Sequence, residues 1–521
     1  MFSFLVYLVL PASFSFAGEV CPPSSIEVGS LKEISGHLTE QKMSDKTKAM
    51  QERLARLNSP TCRQKIWPDS KLLDSPARVI DHDTKAVFQF NTKTNRFDFL
   101  RDANPEDLAA PSFQFQNPGD GGVILSLRSP QQRPPPPGND PSAPKPPAPA
   151  MLCMNQKKEF DAFLKRNMPK RLQDADDGNM TLLAHESFHN ADQNPNNPVH
   201  QHTGACKWAH LDAERSFAGD KEAIKSIRQH IMLNLKKALE AEPGSEARTS
   251  ALAQVKAWSN KLKSDFPEAN KKLLGIDRVE GSAEYVGMMS NIYGKLGCEA
   301  SASAVRKEVA KYMNDRYMPI PQEVDQQAYF LGATAGLLLD EGGKTPDWKK
   351  QVTADRRSPL DLLLAEKSMQ NLPTVAPTPD PSLTTSANLS KGVSSCMQGE
   401  AEKSVNEVLT KPGDYVLVEV EKVPFGMSGS YSVKTPSGDV AVYTEASAKA
   451  NLVFEKANLI SASGLCGESS GKYVAIPRDM IGGDGKISGS QEGFTKFSGT
   501  VPPPSSSKES WNGVSVVCQP K

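Results

Sequence analysis

The chain has 521 residues, in which 61 Lys and Arg balance 61 Asp and Glu, and 38% of the residues are hydrophobic. This length exceeds what one hydrophobic core supports and predicts several domains. Because there is no surplus of basic residues to neutralise phosphates, nucleic acid is not expected as a partner.

Residues 1–17 are expected to form a cleaved secretion signal. The segment is a short apolar run, rich in Phe, Leu and Val, that ends in small residues at Ser15 and Ala17. It is too short to cross a membrane comfortably, and no second long apolar run follows, so no integral membrane segment is expected after cleavage. The mature chain is therefore expected to be secreted or periplasmic, and its oligomeric state is not indicated.

The eight cysteines stand singly along the chain, and none forms a Cys-x-x-Cys pair. In a secreted chain this spacing favours structural disulfides over a thiolate metal site or a redox motif, with buried free thiols as the alternative. Proximity along the sequence suggests that Cys21 pairs with Cys62, and that one pair forms among Cys396, Cys466 and Cys518.

The region 18–128 is predicted to combine helix and strand. Apolar residues recur at helical spacing over 30–58, whereas residues over 78–127 alternate in the manner of strands. We therefore expect a helix followed by a short meander of strands. Residues 129–150 are dominated by Pro, which predicts a linker.

The region 151–370 is predicted to be mainly helical, and a second linker is expected over 371–392. Residues 393–521 contain alternating stretches separated by Gly and Pro turns, which predicts a small β-rich C-terminal domain. The fold class is therefore α+β. The helices of the central region are expected at 155–172, 211–241, 247–266, 279–294, 302–312 and 323–340, and strands of the last domain at 414–423, 430–434 and 439–444.

The motif His185-Glu186-Ser187-Phe188-His189 carries the functional prediction. On a helix the two imidazoles lie one turn apart on one face, so both can bind a single metal ion. Glu186 lies at the flank of that face, where it can take a proton from a metal-bound water. The alternative is a helix with two ordinary histidines.

A catalytic zinc site needs a third protein ligand and an open position for water. Asp192 and Pro195 stand where a metzincin would have Gly and His, which excludes that class. The best candidate is Glu280, on a predicted helix, with Glu284 one turn further to accept a hydrogen bond from the far nitrogen of a ligating histidine. The rival third ligands are His200, His202 and His210.

Over about residues 182–293 the chain resembles the gluzincin group of zinc metallopeptidases. The resemblance rests on the His-Glu-x-x-His motif and on the later Glu280-Gly281-Ser282-Ala283-Glu284-Tyr285 stretch. It implies a zincin-like, mainly helical catalytic lobe. It also implies zinc bound by His185, His189 and Glu280, with Glu186 as general base. Two departures are the long gap between His189 and Glu280, which requires an inserted helical hairpin, and Val279, where an Asn is often found.

The function expected from these residues is a secreted zinc-dependent peptidase that acts on a protein or peptide substrate. Tyr285 is the candidate that steadies the oxyanion during hydrolysis, with Tyr293, Tyr329 and His210 as alternatives. The region 18–128 would supply the sheet of the catalytic lobe or form a removed prosegment. The alternative function is a secreted or surface binding protein that uses a zincin-like scaffold and has no peptidase activity.

Overall fold

A computed structural model describes eighteen stretches of the chain. The contacts between residues divide the chain into two compact units. The larger unit contains the described residues within Phe14–Pro134 and Arg166–Ala387, and the smaller one those from Asn388 onward together with Glu159. The expected signal segment, the Pro-rich linker and almost all of the helix expected at 155–172 lie outside the described residues. The described residues are 43–68, 70, 72–73, 77–109, 113–115, 123–127, 159, 175–193, 221–317, 324–342, 347–354, 357–420, 429–449, 452–462, 465–466, 471–491, 495–500 and 509–518.

Helices make up most of the larger unit, as predicted. The prediction for 279–294 was too short at its start, because the helix begins at Pro267, and Pro is well suited to the first turn of a helix. The helices are α1 (Asp45–Leu57), α2 (Pro60–Ile66), α3 (Pro105–Ala109), α4 (Ala175–Phe188), α5 (Lys221–Glu240), α6 (Glu246–Asp265), α7 (Pro267–Leu296), α8 (Ala302–Arg316), α9 (Val324–Gly342), α10 (Trp348–Ala354), α11 (Pro359–Ala365) and α12 (Lys367–Gln370).

A five-stranded sheet accompanies these helices, in the order β3-β2-β1-β5-β4. The first three strands form the expected antiparallel meander, but β5 pairs with β1 in parallel, so the sheet is mixed. Parallel neighbours require a crossover, and local alternation of residues does not reveal one. The strands are β1 (Ala77–Asp81), β2 (Ala86–Asn91), β3 (Arg96–Asp102), β4 (Phe113–Phe115) and β5 (Val123–Leu127).

The sheet and the helices share one hydrophobic core. Val79 and Phe88 of the sheet belong to the same buried cluster as Leu183 and Phe188 of α4. Trp67, just after α2, packs edge-on against Phe188 at 5.1 Å between ring centroids. The N-terminal strands therefore pack in the core that also buries the motif helix.

Glycines allow the central helix α7 to lie close to two other helices. A Cβ atom at Gly281 would lie 2.6 Å from Gly332 Cα of α9, and one at Gly287 would lie 2.6 Å from Thr181 O of α4. Such distances are below any real Cβ contact, so both crossings depend on the missing side chain. The close approach to the motif helix is therefore at Gly287, whereas Gly281 faces α9.

Two disulfides have both partners within the described residues. Cys62 pairs with Cys298, which corrects the pairing with Cys21 that sequence proximity suggested. The reason is that α2 packs beside the C-terminal end of α7, although the two cysteines are 236 residues apart. Cys466 pairs with Cys518, which confirms a pair within the last group, and Cys396 is also disulfide-bonded.

The smaller unit is built on a nine-stranded sheet, which agrees with the β-rich prediction. Alternate residues of β6 enter two separate cores: Leu417 joins one cluster, and Val416 and Val418 join the other. The strands are β6 (Tyr415–Glu419), β7 (Gly429–Thr435), β8 (Gly438–Lys449), β9 (Leu452–Ala462), β10 (Gly471–Pro477), β11 (Lys486–Gln491), β12 (Thr495–Thr500), β13 (Glu509–Trp511) and β14 (Val514–Val517).

A long helix α13 (Pro381–Thr410) replaces part of the linker expected at 371–392. The Asp380 carboxylate accepts a hydrogen bond from the Ser382 backbone N–H at 3.0 Å, which caps the start of this helix. Among the described residues, no helix is both long and apolar enough to cross a membrane.

Candidate metal centre

The motif residues lie at the end of α4, where the helix changes its pitch. Residues Ala175–Phe188 are α-helical, and His189–Gln193 continue as a π-helical turn. Leu183 and Ala184 are buried, as predicted for the packed side of this helix. Single π turns within helices are frequent at functional sites.

The structure brings His185, His189 and Glu280 together. His185 Nε2 and His189 Nε2 are 2.9 Å apart, and Glu280 Oε2 lies 3.2 Å from His189 Nε2 and 3.5 Å from His185 Nε2. The three atoms form a group that could hold a metal ion. Helix α4 supplies His185, the π turn that follows it supplies His189, and α7 supplies Glu280.

The geometry and chemistry of these atoms fit zinc. Zinc bonds of about 2.0–2.2 Å in a tetrahedron place neighbouring ligand atoms about 3.3–3.6 Å apart, so the two imidazole nitrogens need to separate only slightly. Two imidazoles and one carboxylate are a known catalytic zinc set that keeps a fourth position open. Solvent can approach from the side of His189, whose side chain is 20% exposed, against 3% for His185 and 6% for Glu280.

Glu284 stands behind His185, one turn along α7 from Glu280. Its Oε2 lies 3.3 Å from Nδ1 of His185, which is ion-pair distance, although the atoms are not aligned for a hydrogen bond. The other oxygen accepts a hydrogen bond from the Tyr312 hydroxyl at 2.8 Å. Glu284 therefore faces the nitrogen of His185 that points away from Glu280, and Tyr312 of α8 orients the Glu284 carboxylate.

Gln193 is the corresponding neighbour of His189. Its Oε1 lies against Nδ1 of His189, and its Nε2 donates to the Val279 carbonyl at 3.1 Å. Beside it, Asp192 accepts a hydrogen bond from Ser70 Oγ at 2.7 Å. Gln193 was not predicted from the sequence, although its position four residues after His189 indicates that the two side chains are neighbours on a helix.

Burial and close charges change the acid–base behaviour of the cluster. Burial raises the pKa of Glu186, and His185 and His189 oppose the rise. Burial alone would raise the pKa of Glu280, but the two imidazoles hold it well below its usual value. Burial lowers the pKa of His185, but the close carboxylates of Glu280 and Glu284 more than offset this and raise the pKa to about 10.

The tyrosines divide into two environments. Tyr285 is fully buried, donates its hydroxyl hydrogen to Asp340, and packs edge-on against Trp348 at 5.1 Å, so its hydroxyl is directed to Asp340 and not to the candidate metal centre. Tyr329 of α9 is partly exposed and stacks on the His185 ring, with centroids 5.1 Å apart and planes 7° apart. Of the two, only Tyr329 contacts a predicted ligand.

The rival ligands His200, His202 and His210 lie outside the described residues. A second group of potential ligands consists of Glu419, Cys466 and Cys518. Because these two cysteines form a disulfide, their thiolates are not offered to a metal. The candidate centre is therefore the one on α4 and α7.

In comparisons with known proteins, no family profile, no curated protein and no solved structure matches this chain. The candidate metal centre is thus assigned from its own geometry and chemistry.

Proposed function

We propose that this chain is a zinc-dependent peptidase of the gluzincin type, exported from the cytoplasm, that hydrolyses peptide bonds in a protein or peptide substrate. The observation that carries the proposal is the convergence of His185 Nε2, His189 Nε2 and Glu280 Oε2 at separations of 2.9 to 3.5 Å. These distances lie close to the edges of a zinc tetrahedron.

The residues around the three ligands supply the remaining functions. A zinc ion bound there would acidify water and polarise the scissile carbonyl. Glu186 acts as the general base, because its raised pKa brings it closer to the pH at which it must accept and then return a proton. Glu284 holds His185 in place. Tyr329 takes the role of steadying the oxyanion that the sequence analysis had given to Tyr285.

A single substitution separates chemistry from metal binding. Glu186→Gln removes the base but no ligand, so the variant should keep about one zinc per chain while hydrolysis of a quenched-peptide library falls about 10²- to 10⁴-fold. Glu222→Gln makes the same chemical change at a surface residue of α5 that pairs with Lys225, and should behave as the wild type. The zinc content of each purified variant is measured by inductively coupled plasma emission spectroscopy.

Two outcomes would contradict the proposal. Full activity of Glu186→Gln would remove the proposed mechanism, and a wild-type protein without zinc would remove the metal site. Zinc binding with no hydrolysis of any peptide would instead favour the binding-protein alternative.

A further inference from the structure

The side chain of Gln193 lies between two elements that carry metal ligands. Its amide nitrogen donates to the Val279 carbonyl at 3.1 Å, and its oxygen lies against Nδ1 of His189. The side chain is buried, with only 5% of the residue exposed. Because Val279 directly precedes Glu280, one amide connects the turn that carries the second ligand to the helix that carries the third.

We propose that Gln193 is a positioning residue of the metal centre. It fixes which nitrogen of His189 carries the proton, and it holds the His189 ring so that Nε2 points toward Glu280. This inference rests on the proposed zinc function. It adds a residue that the motif does not contain.

The tautomer follows from the chemistry of the two hydrogen bonds. A backbone carbonyl only accepts, so the amide NH₂ of Gln193 must face Val279 O, and the amide oxygen must face His189. An amide oxygen also only accepts, so Nδ1 of His189 must carry a proton. A neutral imidazole has one such proton, which leaves a lone pair on Nε2. In the zinc-free chain this lone pair can accept a hydrogen bond from Nε2 of His185, 2.9 Å away, and it is free to bind a metal ion.

The π turn places Gln193 and is itself held from outside. The turn spans His189–Gln193, so it begins at the ligand and ends at the residue that orients it. Asp192, within the turn, accepts a hydrogen bond from Ser70 Oγ at 2.7 Å, and Ser70 Oγ accepts one from the Leu72 backbone N–H. The ring of His189 is therefore fixed through Gln193 to α7, and its backbone is fixed through Asp192 to the segment after α2.

Two substitutions test the two halves of this role. Gln193→Leu removes both hydrogen bonds, and we expect zinc affinity, measured by competition with a chelating dye, to fall about 10- to 100-fold. Gln193→Glu loses the donor to Val279 but keeps an acceptor for the Nδ1 proton, now a charged carboxylate, so its affinity should lie closer to that of the wild type. The absorption spectrum of the cobalt-substituted protein should shift in the Leu variant and much less in the Glu variant.

The control is Gln51→Leu, which removes a different amide of the same unit whose oxygen accepts a hydrogen bond from the Phe97 backbone N–H. It should leave zinc affinity and the cobalt spectrum unchanged. An equal loss of zinc affinity in the Leu and Glu variants would show that Gln193 has a merely structural role. Wild-type zinc affinity in Gln193→Leu would show that Gln193 has no role at the metal centre. Either result overturns the inference.

A second readout does not depend on metal. Nitrogen-15 spectra of the zinc-free wild type should show the His189 proton on Nδ1, and those of Gln193→Leu a mixture of tautomers. A wild type that binds no zinc would overturn the proposed function, whereas a proton on Nε2 in the wild type would overturn this inference alone.

Discussion

Two of the buried carboxylates on helix α7, those of Asp277 and Glu280, lie about one turn apart and have different partners. Asp277 forms a two-pronged pair with Arg228, at 2.6 and 2.9 Å, and the Arg228 Nε also donates to Gln327 at 3.1 Å. Glu280 faces the imidazoles of His185 and His189. Both carboxylates are almost fully buried, so each requires a positive partner.

The two carboxylates differ in whether the partner can release a proton and offer a lone pair. A guanidinium keeps its proton and has no lone pair to offer, so the pair of Asp277 and Arg228 is permanent and structural. An imidazole can release its proton and offer a nitrogen lone pair to a metal. A buried carboxylate beside two such rings is therefore suited to binding a metal ion, whereas one beside an arginine stabilises the fold.

The largest effect is expected from Asp277→Asn. The change leaves the Arg228 charge buried without its counter-ion, and breaking a buried pair in this way costs about 3–5 kcal/mol in the free energy of unfolding. Urea denaturation of the zinc-free protein measures the loss. The zinc affinity of the molecules that remain folded should stay within a few-fold of the wild type, and a selective loss of zinc would contradict the structural role of Asp277.

Glu280→Gln should show the opposite behaviour. It removes a ligand charge, so we expect zinc affinity to fall by more than the roughly 100-fold seen for residues that only support a ligand. The rise in melting temperature on adding zinc should disappear, since that rise depends on binding to the folded state. A variant that still melts higher with zinc would show that Glu280 is not a ligand.

The two tyrosines give a smaller contrast of the same kind. Tyr329→Phe should lower kcat about 100-fold with little effect on KM, the size of effect found for other oxyanion donors. Tyr285→Phe should cost about 1 kcal/mol of stability through its lost bond to Asp340 and leave kcat unchanged. Steady-state kinetics and thermal denaturation of both variants separate the catalytic effect from the effect on stability. If Tyr285→Phe lowered kcat and Tyr329→Phe did not, Tyr285 would be the oxyanion residue.

Metal binding should also release about one proton per chain at pH 7, since the pKa of His185 in the metal-free chain is raised to about 10. Calorimetry in two buffers of different ionisation enthalpy measures it. The raised pKa also stabilises the zinc-free fold, fully below pH 6.5 and less as pH rises through about 10. Binding of zinc should abolish this dependence of the stability on pH. If no protons were released when zinc binds, the raised pKa of His185 would be contradicted.

The convergence of His185, His189 and Glu280 could be predicted because each residue type and spacing is a local signal in the sequence. His185 and His189 share a face through their spacing alone, and Glu280 with Glu284 repeats that spacing on a later helix. Gln193 was not predicted because the motif ends at His189, and helix propensities do not indicate that the helix continues as a π turn. Tyr285 was preferred to Tyr329 from the sequence, but which tyrosine lies beside His185 depends on how α7 and α9 pack, and the sequence does not show this packing.

In the fold, too, the features that depend on contacts between distant parts of the sequence could not be predicted. Alternation predicted the strands of the larger unit, but not the parallel pairing of β1 with β5, which depends on contacts distant in sequence. Cys62 and Cys298 pair for the same reason. Helix α13 was not predicted: Pro, Ser and Thr suggested a linker up to residue 392, and the residues after it were assigned to the β-rich domain. An Asp followed by Pro is nevertheless also how helices begin.

The most direct test of the central claim is a crystal structure with anomalous diffraction data collected on both sides of the zinc absorption edge. The account predicts one strong peak, present only above the edge, within about 2.0–2.2 Å of His185 Nε2, His189 Nε2 and Glu280 Oε2. No peak between these three atoms in crystals grown with zinc, or a peak elsewhere, would contradict it.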